Sequence, residues 1–60
     1  MKYVNKIEDI DKIFQGWTIL GVQMGREPES LYRFSLEKDG KRKAVEVCGN
    51  DLGGWLYIYN

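Results

Sequence analysis

Apolar residues recur along this chain at two different periods, and the change falls at Gly16. Ahead of it, Ile7, Ile10, Ile13 and Phe14 stand at helical spacing, so residues 6–15 present one apolar stripe. Asn5 precedes Lys6-Ile7-Glu8 in the order of an N-cap followed three residues later by a carboxylate that reaches back to the cap. Glu8 and Asp9 lie at the positive end of the helix dipole, Glu8 faces Lys12 one turn on, and Gly16 supplies the stop. Core packing explains the isoleucine stripe better than a recognition helix does.

Beyond Gly16 the helical period is lost, and three turn signals cut the chain into strands over about 17–24, 30–38, 41–48 and 54–59. The signals are Gly25–Glu29, Lys38–Lys41 and Gly49–Gly53; the middle one is strongest, because Asp39-Gly40 suits the two positive φ values of a type I′ turn. Pairing Lys38 with Lys41 sets Arg33 opposite Glu46, Glu37 opposite Arg42, Phe34 opposite Val45 and Tyr32 opposite Val47. Both charge pairs then share one face and the apolar pairs share the other, an agreement that a one-residue slip would destroy.

The outer strands extend the sheet on either side of this hairpin. Pairing Met24 with Ser30 puts Leu20 and Val22 beside Phe34 and puts Trp17, Ile19 and Gly21 on the charged face. Pairing Cys48 with Gly54 puts Trp55, Tyr57 and Tyr59 beside Val45 and Val47, with Leu56 and Ile58 beside Ala44; each outer loop also admits a shift by one. The expected architecture over residues 1–60 is a single α+β domain, one N-terminal helix packed on a four-stranded antiparallel β-meander.

Area adds a demand to this picture. A ten-residue helix covers on the order of 150 Å², whereas a face of four six-residue strands extends over roughly 400 Å². Apolar residues occupy both faces, so a second copy or another protein is expected to cover part of the sheet, and Trp17, Ile19, Leu31, Leu56 and Ile58 are the candidate protein interface.

Composition narrows the class. Sixty residues bury only a modest core, and 43% hydrophobic content with nine basic and nine acidic residues describes one folded, neutral domain. The longest apolar stretches, Trp17–Val22 and Trp55–Tyr59, fall well short of a membrane span, and the opening residues hold no apolar leader segment, so a cytoplasmic location is expected. One cysteine, Cys48, excludes an internal disulfide.

With no His, the commonest proton shuttle and metal ligand are missing, and no catalytic, metal or cofactor residue is assigned. Cys48 sits at a strand end without an activating base and reads as a small buried residue. Glu8, Asp9 and Asp11 read as a solvated helix face. The Gly49–Gly54 segment lacks the helix and the Lys-Ser/Thr pair of a phosphate loop, so it reads as a hairpin connection; with Arg26 or Arg33 it is the only sequence feature favouring a nucleotide ligand. Lys38, Lys41, Arg42 and Lys43 at the middle hairpin, with Tyr57 and Tyr59 as stacking platforms, form the candidate nucleic-acid surface of an alternative reading. Zero net charge weighs against that alternative.

Gly16-Trp17-Thr18-Ile19 opening a strand, and a strand running from Phe34 into Asp39-Gly40, resemble the small accessory proteins encoded by bacteriophages and their bacterial hosts. The resemblance covers about half the chain and carries over no functional residue. It implies a setting in which such proteins bind and block a host enzyme, anti-defence inhibitors among them. The expected function is therefore a non-enzymatic interaction protein, a homodimer that inhibits or modulates a larger protein.

Overall fold

A computed structural model describes residues 2–60. The elements are β1 (Lys2–Val4), α1 (Ile7–Phe14), β2 (Thr18–Met24), β3 (Ser30–Lys38), β4 (Lys41–Asn50) and β5 (Gly53–Tyr59). The strands form one sheet in the order β1-β5-β4-β3-β2, with every neighbouring pair antiparallel. The protein is α+β as expected, but its sheet is not a four-stranded meander. Strands β2 to β5 do follow one another as hairpins, and β1 then adds beside β5. It follows that β1 and β2, at opposite edges, run in the same direction, and α1 carries the chain across one face between them.

β1 has no sequence signature because three residues are too few to show an alternating period, and its partner lies at the other end of the chain. Its register sets Lys2 against Ile58, Tyr3 against Tyr57 and Val4 against Leu56. Since β1 extends through Val4, the helix starts later than Asn5 predicts: Lys6 holds the cap position, with φ −98° and ψ 134° and no side-chain cap bond. The Lys6 carbonyl instead accepts from the backbone N–H groups of Asp9 and Ile10 at 3.0 and 2.9 Å. Gly16, at φ 78°, turns the chain out of the helix as its position predicts.

The central hairpin has the expected register throughout, from Lys38 opposite Lys41 to Tyr32 opposite Val47. Asp39 and Gly40 take φ values of 52° and 79°, the positive pair that the hairpin turn requires. The outer strands differ. Met24 pairs with Tyr32 rather than Ser30, a shift of two that keeps Val22 beside Phe34, while a bulge between Ile19 and Gly21 brings Ile19 opposite Leu36. Ile19 therefore shares the helix-side face, not the charged one.

At the other side β4 runs on to Asn50, so that Cys48 pairs with Trp55 and not with Gly54. This single-residue shift turns β5 over. Leu56 and Ile58 face the helix and are buried, at 4% and 8% exposure, whereas Trp55, Tyr57 and Tyr59 line the opposite face. The physical reason is on both faces: Ile13 of α1 and Val4 of β1 offer Leu56 and Ile58 a core, and Tyr3 meets Tyr57 ring to ring at 5.8 Å.

The core comprises Val4, Ile13, Leu36, Val45, Leu56 and Ile58, with Ile10, Phe14, Trp17, Phe34 and Val47 packed around it. Phe14 meets Phe34 edge to face at 5.8 Å. Ile7 lies outside this cluster and is 82% exposed, so the first isoleucine of the stripe contributes little. In urea titrations, Leu36→Ala is expected to lower the unfolding free energy by about 3 kcal/mol, whereas Ile7→Ala is expected to shift it by less than about 0.5 kcal/mol. Equal effects at the two sites would contradict the assignment of the core.

Candidate interaction surface

α1 reaches across β1, β5, β4 and the near part of β3, and its cover ends there. All seven residues of β2 are exposed. Val22 and Met24, at 54% and 75% exposure, stand on the helix-side face beside a half-exposed Tyr32, and Ile19 and Leu20 at the bulge are half-exposed as well. β2 contains no charged residue and no proline.

The edge of β2 is also open along its backbone. Gly25 N–H donates to the Leu31 carbonyl at 3.1 Å, which makes Gly25 and Leu31 a bonded pair of the ladder. Antiparallel ladders alternate bonded and non-bonded pairs, so Gln23 also bonds β3, while Val22 and Met24 direct their N–H and C=O groups away from the sheet. An apolar, uncharged strand with outward backbone groups is a template for a further strand. The opposite edge differs, since β1 has only three residues and begins with Lys2.

The other sheet face carries aromatic and charged side chains around a shallow groove that Ser30, Glu46, Cys48, Trp55, Tyr57 and Tyr59 line. Glu46 is buried at 4% exposure, and its carboxylate accepts from Arg33 Nη1 at 2.6 Å and from Ser30 Oγ at 3.0 Å. The Arg33 guanidinium lies over the Tyr59 ring, 4.9 Å from its centroid. A bulge between Ser30 and Tyr32 aligns Ser30 with Cys48 and leaves Leu31 outside, half-exposed. Burial pushes the Cys48 thiol above its ordinary range, and the charges of Glu46 and Glu29 add to this, while a hydrogen bond with Ser30 acts the other way. The thiol is thus protonated, shielded and a poor nucleophile.

Of the interface residues expected from the sequence, Ile19 and Leu31 are exposed. Leu56 and Ile58 belong to the core, because the one-residue shift of β5 turned them inward. Trp17 packs against the core, and Lys43 Nζ lies over its ring at 4.1 Å from the centroid. Leu20 and Val22, expected on the Phe34 face, form an exposed patch with Met24 and Tyr32, since the helix ends before it reaches β2. The residues of the nucleic-acid reading are divided between faces. Lys38, Lys41 and Lys43 share the register parity of Leu36, on the helix side; only Arg42 shares the face of Tyr57 and Tyr59, and its Nε is 3.2 Å from Glu37.

The fold and this edge define a small α+β domain with an uncovered apolar strand; among the described residues no helix is long and apolar enough to cross a membrane. No family model, curated protein or solved structure matches the chain.

Two outcomes test the interior of this face. Arg33→Ala leaves the buried Glu46 carboxylate without its cation and is expected to cost about 3 kcal/mol in chemical denaturation, whereas removing the exposed partner of Glu37 with Arg42→Ala is expected to cost no more than about 1 kcal/mol. A native chain in mildly alkaline buffer is expected to react with a thiol reagent far more slowly than the unfolded chain, because the folded state holds the Cys48 proton more tightly. By linkage, that contribution to stability declines as pH rises past the ordinary thiol range, and Cys48→Ala removes the decline.

Proposed function

We propose that the chain is a non-enzymatic interaction protein that works as a homodimer and binds, to inhibit or modulate, a larger protein. The observation supporting this reading is β2, seven exposed residues with four large apolar side chains on an open sheet edge. A second copy suits that edge. β2 brings no like charges together when it meets itself, and the chain as a whole carries no net charge to hold two copies apart. Two β2 strands running antiparallel about a twofold axis extend the sheet to ten strands, with both helices on one face and Val22, Met24 and Tyr32 of each copy meeting between them. Cover of β2 and its neighbours removes roughly 500 Å² from each copy, close to the lower end of stable interfaces at about 1,000–1,200 Å² in total.

The larger partner follows from the resemblance to phage accessory proteins, whose setting favours a host enzyme as target. Such a target is met by the surfaces that a β2-paired dimer leaves outside, the hairpin tips and the aromatic face.

Light scattering on the purified chain is expected to give twice the monomer mass at tens of micromolar. Met24→Pro removes an outward N–H that β3 does not use, so the variant is expected to stay folded by circular dichroism yet become monomeric; Val22→Glu is expected to act in the same direction. A wild-type monomer that binds no hydrophobic dye would overturn the reading, and a dimer that survives both substitutions would remove β2 from it.

A further inference from the structure

A groove of about 650 Å³ lies on the helix side at the end of the sheet where β1, α1 and β4 converge. Four of its lining residues are lysines, Lys2 from β1, Lys6 from the helix cap, Lys12 from the last helical turn and Lys43 from β4, and Asp9 is the only carboxylate side chain among them. A chain with no net charge has therefore gathered a net positive wall in one place. None of the four lysines forms an ion pair among the described residues, where the pairs are Arg33 with Glu46 and Arg42 with Glu37.

Lys43 is the informative member. Its side chain is partly buried against Trp17, with the ammonium 4.1 Å from the ring centroid. Burial pushes its pKa below the ordinary lysine range and the charge of Lys38 adds to the shift. A partly desolvated ammonium facing other cations gains from an anion more than a fully hydrated one does. The groove is also larger than one phosphate group requires, and its floor is apolar, formed by Val4, Ile13 and Ile58. Cationic walls above an apolar floor match a ligand with clustered phosphates on one side and a flat, weakly polar body on the other.

We propose that this groove binds a small polyphosphate ligand of nucleoside di- or triphosphate size, with the phosphates held among Lys2, Lys6, Lys12 and Lys43 and the body against Val4, Ile13 and Ile58. The site lies away from β2, so it is independent of self-association. It also differs from the Gly49–Gly54 loop, the sequence feature nearest to a phosphate cradle, which forms the tight connection of β4 to β5 with Asn50 opposite Gly53. Lys2, Lys6 and Lys12 lie within the first twelve residues, and the pairing of the unforeseen strand β1 with β5 sets them beside the distant Lys43 of β4.

Titration of the ¹⁵N-labelled chain with inorganic phosphate, pyrophosphate, ATP and a short single-stranded DNA, followed by NMR in low salt, tests the proposal. ATP is expected to bind saturably, to move the amides of residues 2–13 and Lys43 and the Trp17 indole resonance, and to bind more tightly than pyrophosphate, which binds more tightly than phosphate. Lys12→Ala, at an exposed helix position, and Lys43→Ala are each expected to weaken ATP by about tenfold, while Lys41→Ala at the hairpin turn leaves it unchanged. Absence of saturable ATP binding, equal weakening by Lys41→Ala, or shifts centred on residues 38–42 would overturn the proposal. Tighter binding of the DNA through the same lysines would overturn it in favour of a nucleic-acid surface.

Discussion

A single short helix has to shield a sheet about twice as wide as the helix is long, and the rest of the structure follows from that mismatch. Eight residues of α-helix extend ~12 Å, whereas five strands span ~24 Å across the hydrogen-bonding direction. α1 must also carry the chain from one sheet edge to the other, because β1 and β2 lie at opposite ends of the strand order. The helix settles over the β1-β5-β4 side, where Ile13 meets Leu56, Ile58 and Val45, and its cover lapses at β2. The core is therefore off-centre, and the apolar side chains of β2 remain outside it.

The two faces of the sheet resolve their burial in different ways. On the helix side aliphatic side chains pack beneath α1. On the other, with no second layer, Trp55, Tyr57 and Tyr59 flank Glu46, Ser30 and Cys48 along a groove, and Arg33 bridges Glu46 and the Tyr59 ring. A buried carboxylate is tolerated there because both its oxygens are bonded, one to Arg33 and one to Ser30. The apolar demand is left at β2, an exposed strand at the open edge of the sheet.

The sequence spoke clearly wherever contacts were local. The hairpin about Asp39-Gly40 was legible to the residue, since its turn chemistry and its alternating charge and apolar pairs specify one register between them. The helix was legible through its isoleucine stripe and Gly16. What escaped was set at long range. β1 is too short to carry a period of its own, and without it nothing in the sequence showed that Asn5 would lose the cap or that Tyr57 would find Tyr3. β5 reads equally well in either register, because Trp-Leu-Tyr-Ile-Tyr places large apolar residues on both faces; the helix and β1 decide between them. Uncovered apolar surface was expected from the sheet's area, on a face through Leu56 and Ile58, whereas it lies at an edge through Val22 and Met24.

Edge and groove give this small domain two independent surfaces, one apolar and uncharged, one cationic, on opposite sides of the helix. The groove depends on β1 at one edge of the sheet, and the apolar surface on the uncovered β2 at the other. The claim that ties these together is that β2 meets another strand in solution. Amide hydrogen exchange at Val22, Gln23 and Met24 tests it most directly, in concentrated protein. The amides of Val22 and Met24, which point away from β3, are predicted to be protected to a degree comparable with Gln23 and to lose that protection on dilution. Exchange of Val22 and Met24 at the rate of an unstructured chain, with Gln23 still protected at the same concentration, would contradict it.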